Sequence, residues 1–214
     1  MPIFRSESKL YFFSHIPKCG GSSVEKYCID LGLKIAFRDI VFFKKHRELN
    51  WNITSPQHID GWSASHLFGA DFFDMYFAIT RHPIKRLESA FKHQRFYARS
   101  VVMGDSLSEF VKETLKDNAL TIGFCDNHFL PQTKFIIPHC NYKIFKLESG
   151  LHRVKKYLDD TLFGEKQNAN ISHSNKGVSK EYIDKLDLSL DDEAKDIVLK
   201  IYQKDFKKFN YSIE

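Results

Sequence analysis

The chain has 214 residues, of which 43% are hydrophobic and 28% charged; this suits one soluble globular domain over 1–214 with a proper core. A net charge of +5 suits anionic ligands, yet the longest basic stretch, Lys204–Lys208, is interrupted and forms no arm for nucleic acid. No apolar run approaches the roughly 18–20 residues of a membrane span and the N-terminus carries no signal-peptide core, so the expectation is a cytoplasmic protein.

The four cysteines, Cys19, Cys28, Cys125 and Cys140, are too sparse for a disulfide scaffold. Cys125-x-x-His128 and His139-Cys140 offer zinc-type ligands, but adjacent His-Cys is poor chelate spacing. Buried free thiols and no metal are therefore expected. Phenylalanine pairs (Phe12-Phe13, Phe42-Phe43, Phe72-Phe73) read as core packing.

In chain order, Leu10–Phe13 is a short apolar run suited to a buried parallel strand. Next comes His15-Ile16-Pro17-Lys18-Cys19-Gly20-Gly21-Ser22-Ser23. A helical pattern follows, with Val24, Tyr27, Cys28 and Leu31 three and four residues apart. Two glycines allow a sharp turn and close approach to a ligand. Ser22 and Ser23 occupy N-cap positions. Free N–H groups of a helix start, with the Lys18 ammonium beside them, make a cradle for a phosphate-like anion.

Leu33–Phe43 reads as a short second strand. Asn50–Ser65 is turn-rich and carries Trp51 and Trp62, and Ser65–Phe68 reads as a brief strand. Met75–Thr80 is a firmer buried strand. It stops at Arg81-His82-Pro83, and Pro83 suits the first turn of a helix. Ile84, Leu87, Ala90 and Phe91 share one face of that helix. Arg81 thus stands at the C-terminal end of a strand, where open α/β sheets bind ligands. Arg86 and Ser89 follow on the helix.

Ser106 and Glu109 have capping-box spacing for a helix to Leu115. Tyr142–Leu147 reads as a third core strand. Glu148–Phe163 reads as an amphipathic helix closed by Gly164. Gln167–Lys180 is a polar loop, and Leu190–Phe209 a final helix with Ala194, Ile197, Val198, Ile201, Tyr202 and Phe206 inward. Strands alternating with helices give an α/β domain with a mostly parallel sheet.

Two of these motifs resemble a known family. His15–Ser23 is similar to the 5′-phosphosulfate loop of sulfotransferases that use 3′-phosphoadenosine 5′-phosphosulfate (PAPS), in the form H-x-P-K-T-G-G-T-S of the carbohydrate (heparan and chondroitin) type. Arg81–Phe91 resembles that family's 3′-phosphate motif, R-x-P-x-x-R-x-x-S-x-F/Y. The segments His128–Gln132, Ile144–Glu148 and Tyr202–Phe206 with Phe209, Tyr211 and Ser212 resemble it in the same order. Cys19 departs from the usual Thr or Ser, and a thiol is a weak donor, so weaker phosphate binding is expected there.

The resemblance implies a P-loop-like three-layer sandwich and a site divided between two motifs. Pro17, Lys18, Cys19, Gly20, Gly21, Ser22 and Ser23 would hold the 5′-phosphosulfate. Arg81 and Ser89 would hold the 3′-phosphate, and Lys176, after Asn175, would touch the nucleotide. Lys18 would act in catalysis as charge grows on the leaving phosphate. The acceptor would be a glycan or other hydroxyl or amine, and its base a histidine. Among the ten histidines, His66 is the choice, with His58, His15 and Glu148 as alternatives. A P-loop phosphotransferase is the enzymatic rival, but it needs its lysine after the glycines and an acid for Mg²⁺ where Arg81 stands. A non-catalytic anion- or glycan-binding protein is the other reading. Neither acceptor loop (Trp51–Trp62, Phe96–Asp105) identifies its ligand.

Overall fold

The computed structural model describes residues 1–6, 9–42, 50–98, 104–171 and 185–213. Strands β1 (Ile3–Arg5) and β2 (Leu10–Ser14) lead into helix α1 (Gly21–Asp30). After helix α2 (Gly61–Leu67) come β3 (Met75–Thr80) and α3 (Pro83–His93). Short helices α4 (Leu107–Phe110) and α5 (Lys116–Asn118) precede β4 (Tyr142–Lys146), α6 (Leu151–Leu158) and the long α7 (Asp192–Lys208).

The sheet order is β1-β2-β3-β4. β1 runs antiparallel to β2, with Phe4 opposite Tyr11, while β2, β3 and β4 are parallel, with Phe13 opposite Phe77. Side chains alternate across the pleat. Phe4, Tyr11, Phe13, Phe77 and Phe145 on one face bury against Val24, Tyr27 and Cys28 of α1 and Leu151, Val154 and Leu158 of α6. Phe12 and Tyr76 on the other pack with Ala64 of α2, Phe73 and Ile137. A separate core joins Leu87, Ala90 and Phe91 of α3 to Ala194, Val198, Tyr202 and Phe206 of α7. Among the described residues no helix is long and apolar enough to cross a membrane.

Several elements depart from the sequence reading. No strand forms within Leu33–Phe42; Ala36 makes a single antiparallel bridge to Ile3, because β1 takes that sheet edge. Phe43 lies outside the described residues. Ser65, His66 and Leu67 belong to α2 rather than to a strand. Asp60, read as turn punctuation, is its N-cap, and its carboxylate accepts from the Trp62 and Ser63 N–H groups at 3.0 Å. Of the phenylalanine pairs, Phe12, Phe13, Phe42 and Phe73 are buried, whereas Phe72 is exposed. The capping-box serine is present: Ser106 Oγ accepts from Glu109 N at 3.4 Å. The Glu148–Phe163 helix begins at Leu151 because Gly150 at its N-cap takes φ +87°.

Candidate active site at the strand ends

The C-terminal ends of β2 and β3 open into one cavity of 1420 Å³. Parallel register sets both ends at one level, so the turns that follow them are neighbours. Lys18, Gly20, Gly21, Ser22 and Ser23 line the cavity from the first turn, and Arg81 and Ser89 from the second. The two turns touch: Arg81 Nη1 donates to the Lys18 carbonyl at 3.3 Å.

Inside the first turn Lys18 takes φ +68°, a left-handed conformation uncommon outside glycine. Gly20, at φ +86°, is the N-cap of α1, so Ser22 and Ser23 fall inside its first turn and do not cap it. First-turn N–H groups have no intrahelical acceptors and carry the positive end of the helix dipole. Gly21 is required for space, although not for a ligand. A Cβ there would stand 2.2 Å from His15 Cδ2. Burial, with the nearby Arg81 charge second, lowers the Lys18 pKa from 10.5 to about 8. Two cations, Lys18 and Arg81, share this end of the cavity, an arrangement that favours a bound anion.

Pro17 and Cys19, expected to help hold the ligand, are not among the residues that line the cavity. Both are buried, and the Cys19 thiol points down to Gln132 Oε1 at 3.4 Å. Burial pushes this thiol up to about 12. The Cys19 thiol is thus engaged behind the turn, with the Pro17 carbonyl and Gln132. Arg86 is only 1% exposed. It donates to the carbonyls of Pro17 (3.1 Å), His128 (3.0 Å) and Leu130 (2.8 Å). It fastens the lysine turn to the 128–130 segment.

The other half of the cavity is rich in imidazole. His15, His58, His93 and His128 all line it. The rings of His15 and His58 lie 5.1 Å apart, His58 and His128 5.0 Å, and His128 and His93 4.9 Å. His58 Nδ1 lies 2.6 Å from Asp126 Oδ2. Asp126 also accepts from Ser55 N at 2.7 Å and Ser55 Oγ at 2.8 Å. Burial opposes ionisation of Asp126, but His58 and the Ser55 donors outweigh it and hold the carboxyl below its usual range. An ionised carboxylate on Nδ1 fixes the proton there and leaves Nε2 of His58 as the acceptor.

His15 has a similar partner in Glu25, which also accepts from Arg38 Nε at 2.8 Å. Burial resists the Glu25 charge, yet His15 and Arg38 bring its pKa down to about 2. Burial nevertheless lowers His15 itself, and it lowers His128 further with help from His58 and His93. His93 falls to about 4, by burial first and then by the Lys18 and His58 charges. Three of the four rings are thus held neutral.

His58, Asp126 and His128 bring potential metal-ligand atoms within 4.8 Å of one another. The first two, however, form a direct 2.6 Å hydrogen bond. A tetrahedral ion with bonds of about 2.0–2.2 Å would hold such atoms roughly 3.3 Å apart. The geometry is that of a His–Asp dyad. All four cysteines are free; Cys140 lies beside the Ala70 carbonyl, and Cys125 lines the cavity.

His66 is placed elsewhere. It is exposed on α2, with Nδ1 against the Trp62 carbonyl at 2.9 Å and its ring 4.2 Å from the Trp62 ring, and it does not line the cavity. The α2 helix, formed where a strand was expected, turns it outward. Glu148 is also off the cavity wall, receiving His82 N at 2.8 Å and the Tyr211 hydroxyl at 3.2 Å. Lys176 and Asn175 lie outside the described residues.

Sequence reasoning missed His93, Asp126 and the role of Gln132. One signal was available for Asp126. Cys125, Asp126 and Asn127 form a left-handed run at φ 48°, 55° and 60°. Asp and Asn are the non-glycine residues that visit this region most readily. Such runs persist where surroundings over-determine them, often at functional sites. Here Gly123 N donates to Asn127 Oδ1 and Asn127 Nδ2 to the His58 carbonyl, each at 2.8 Å.

Residues 1–212 match the family model described as "Sulfotransferase family". No curated protein and no solved structure matches the chain. With a match over nearly its whole length, the chain belongs to the sulfotransferase family.

Proposed function

We propose that the protein moves a sulfuryl group from PAPS to an acceptor hydroxyl, with Lys18 and Arg81 binding the donor's two phosphate ends and His58 as the base. The observation that carries the donor reading is the direct contact of the two motifs, Arg81 Nη1 to the Lys18 carbonyl at 3.3 Å on one cavity wall. A nucleotide with phosphates at both ribose ends suits two cationic subsites this close. The turn between β2 and α1 serves in P-loop-like fashion. First-turn N–H groups at Gly21 and Ser22, with the Ser22 and Ser23 hydroxyls, would meet the 5′ end. Arg81, with the Ser89 hydroxyl, would meet the 3′-phosphate as a charge-assisted fork.

In the transfer, the acceptor oxygen bonds to sulfur as the sulfur–oxygen bond to the 5′-phosphate breaks. The acceptor proton passes to His58 Nε2, and Asp126 holds the resulting imidazolium. Negative charge develops on the leaving phosphate beside Lys18, where a fixed cation helps the transition state more than the ground state. No acid stands at the end of β3 to hold Mg²⁺, since Arg81 occupies that position, which favours sulfuryl over phosphoryl transfer. His15 is the second candidate base, because Glu25 orients it as Asp126 orients His58. Its burial leaves it less able to take up a proton.

The acceptor reading is a carbohydrate. Its support is the remaining cavity wall, which Trp51, Phe124, Asn50, Asn52 and Asp39 line. Aromatic faces with amide and carboxylate groups suit sugar rings and hydroxyls. Calorimetry with 3′-phosphoadenosine 5′-phosphate (PAP), then a PAPS transfer assay over glycan acceptors, tests the proposal. Binding of PAP followed by transfer is expected. Absence of PAP binding overturns the donor reading, and binding without transfer to any acceptor leaves a nucleotide-binding protein on the same fold. His66→Ala is expected to change turnover less than twofold; loss of turnover with PAP binding intact would return the base to His66.

A further inference from the structure

Gln132 is wholly buried, and every polar atom of its side chain is engaged. Its Oε1 accepts from Arg81 N at 2.9 Å, and its Nε2 donates to the Arg81 carbonyl at 2.8 Å. One amide thus grips both backbone groups of the residue that ends β3. The same Oε1 accepts the Cys19 thiol at 3.4 Å, directly behind Lys18. Gln132 is itself anchored: its N–H and that of Thr133 donate to the buried Asp205 carboxylate of α7 at 2.7 and 2.9 Å. Arg86 completes the frame from beneath, through the Pro17 carbonyl.

We infer that Gln132 is a positioning residue that holds the Lys18 turn and Arg81 at a fixed separation, so that the two anion subsites bind one doubly phosphorylated nucleotide as a unit. This rests on the nucleotide reading above. Two tethered contacts gain over either alone only if their spacing is preset. A residue that grips both subsites without touching the ligand sets that spacing. The inference also accounts for Cys19, whose thiol serves the frame and not the phosphate.

A merely structural role and a spacing role predict different ligand dependence. The measurement is calorimetric affinity of the full chain for PAP, for adenosine 5′-monophosphate and for adenosine 3′-monophosphate, with thermal midpoints alongside. Gln132→Met keeps the volume and removes the amide. It is expected to weaken PAP about 10–100-fold while each monophosphate changes less than about threefold, since misplacement of order 1 Å carries penalties of this size. Cys19→Ala, which removes one arm and little volume, should lower the ratio of PAP to monophosphate affinity by about threefold, and Cys19→Ser should restore it. Should Gln132→Met fail to fold, the Cys19 pair decides. Unchanged affinities, or equal losses for all three ligands, would overturn the inference. Failure of the unaltered protein to bind PAP would instead overturn the nucleotide reading on which it rests.

Discussion

The two walls of the cavity are built in opposite ways. The cationic wall is local: Lys18 through Ser23 come from one turn, Arg81 and Ser89 from another, and each turn directly follows a parallel strand. Much of its binding capacity is backbone N–H, which depends on chain conformation more than on distant side chains. The imidazole wall is assembled from His15, the Ser55–His58 segment, His93 and the Cys125–His128 run. Its central dyad joins residues 68 positions apart. Binding an anion needs a conformation that one turn can supply, whereas tuning a base needs a carboxylate that only tertiary folding can bring.

The strongest way to break this division is to remove one central side chain from each wall in turn. Lys18→Ala should reduce sulfuryl transfer by about 10³-fold, near the loss for a preorganised charge-stabilising group. The thermal midpoint should hold or rise, because burial already disfavours the ammonium. A labelled-PAPS turnover assay beside a melting curve checks both. A loss of activity matched by a collapse in stability would show that the lysine is structural.

His58→Ala acts on the opposite wall and should lower kcat by about 10²–10⁴-fold, the range for general-base loss. PAP affinity should stay within about twofold by calorimetry. Loss of PAP binding would merge the two walls into one functional unit. Gly21→Ala probes their seam, since its Cβ would stand 2.2 Å from His15 Cδ2. Overpacking of this kind costs about 1–3 kcal/mol. We expect a loss of unfolding free energy of that size in denaturant melts, and roughly tenfold lower turnover, as the His15 ring is driven from Glu25. A Gly21→Ala protein of unaltered stability would contradict the packing role.

How far each wall was legible follows from the same contrast. Met75–Thr80, the start of α3 at Pro83 and the Lys18 turn were readable because strand burial, proline placement and glycine chemistry are local signals. The Ser65–Phe68 error arose because Asp60 was weighed as turn punctuation when its carboxylate caps α2. The same helix sets His66 on the exposed side and off the cavity wall, since a histidine on a helix whose inner side carries Ala64 can face solvent. The β1 edge strand is only three residues long, too short for a period to register. Gln132 stood inside a recognised segment, but its partners Arg81 and Cys19 lie 51 and 113 positions away. Nothing local to a glutamine announces such a role.

The smallest expected effect separates the walls by pH. Lys18 has a pKa of about 8 in the free protein, lowered from 10.5 by burial and by Arg81. A bound phosphate anion favours the protonated ammonium and so raises that pKa. The sign follows from linkage: above pH 8 the free protein has lost this proton and the complex regains it, so affinity falls as pH rises. At pH 8.5 PAP binding should take up about 0.7 of a proton, and near pH 7 only about 0.1, with affinity falling less than tenfold between pH 7 and 9. His15, His93 and His128 do not contribute in that window. Burial lowers His15 and His128 and, with the Lys18 charge, brings His93 to about 4, so these three rings are already neutral by pH 7. Calorimetry at pH 8.5 in two buffers of different ionisation enthalpy reads the uptake directly. Uptake that persists in Lys18→Ala, or none in the unaltered protein, would remove Lys18 as the group that titrates with the nucleotide.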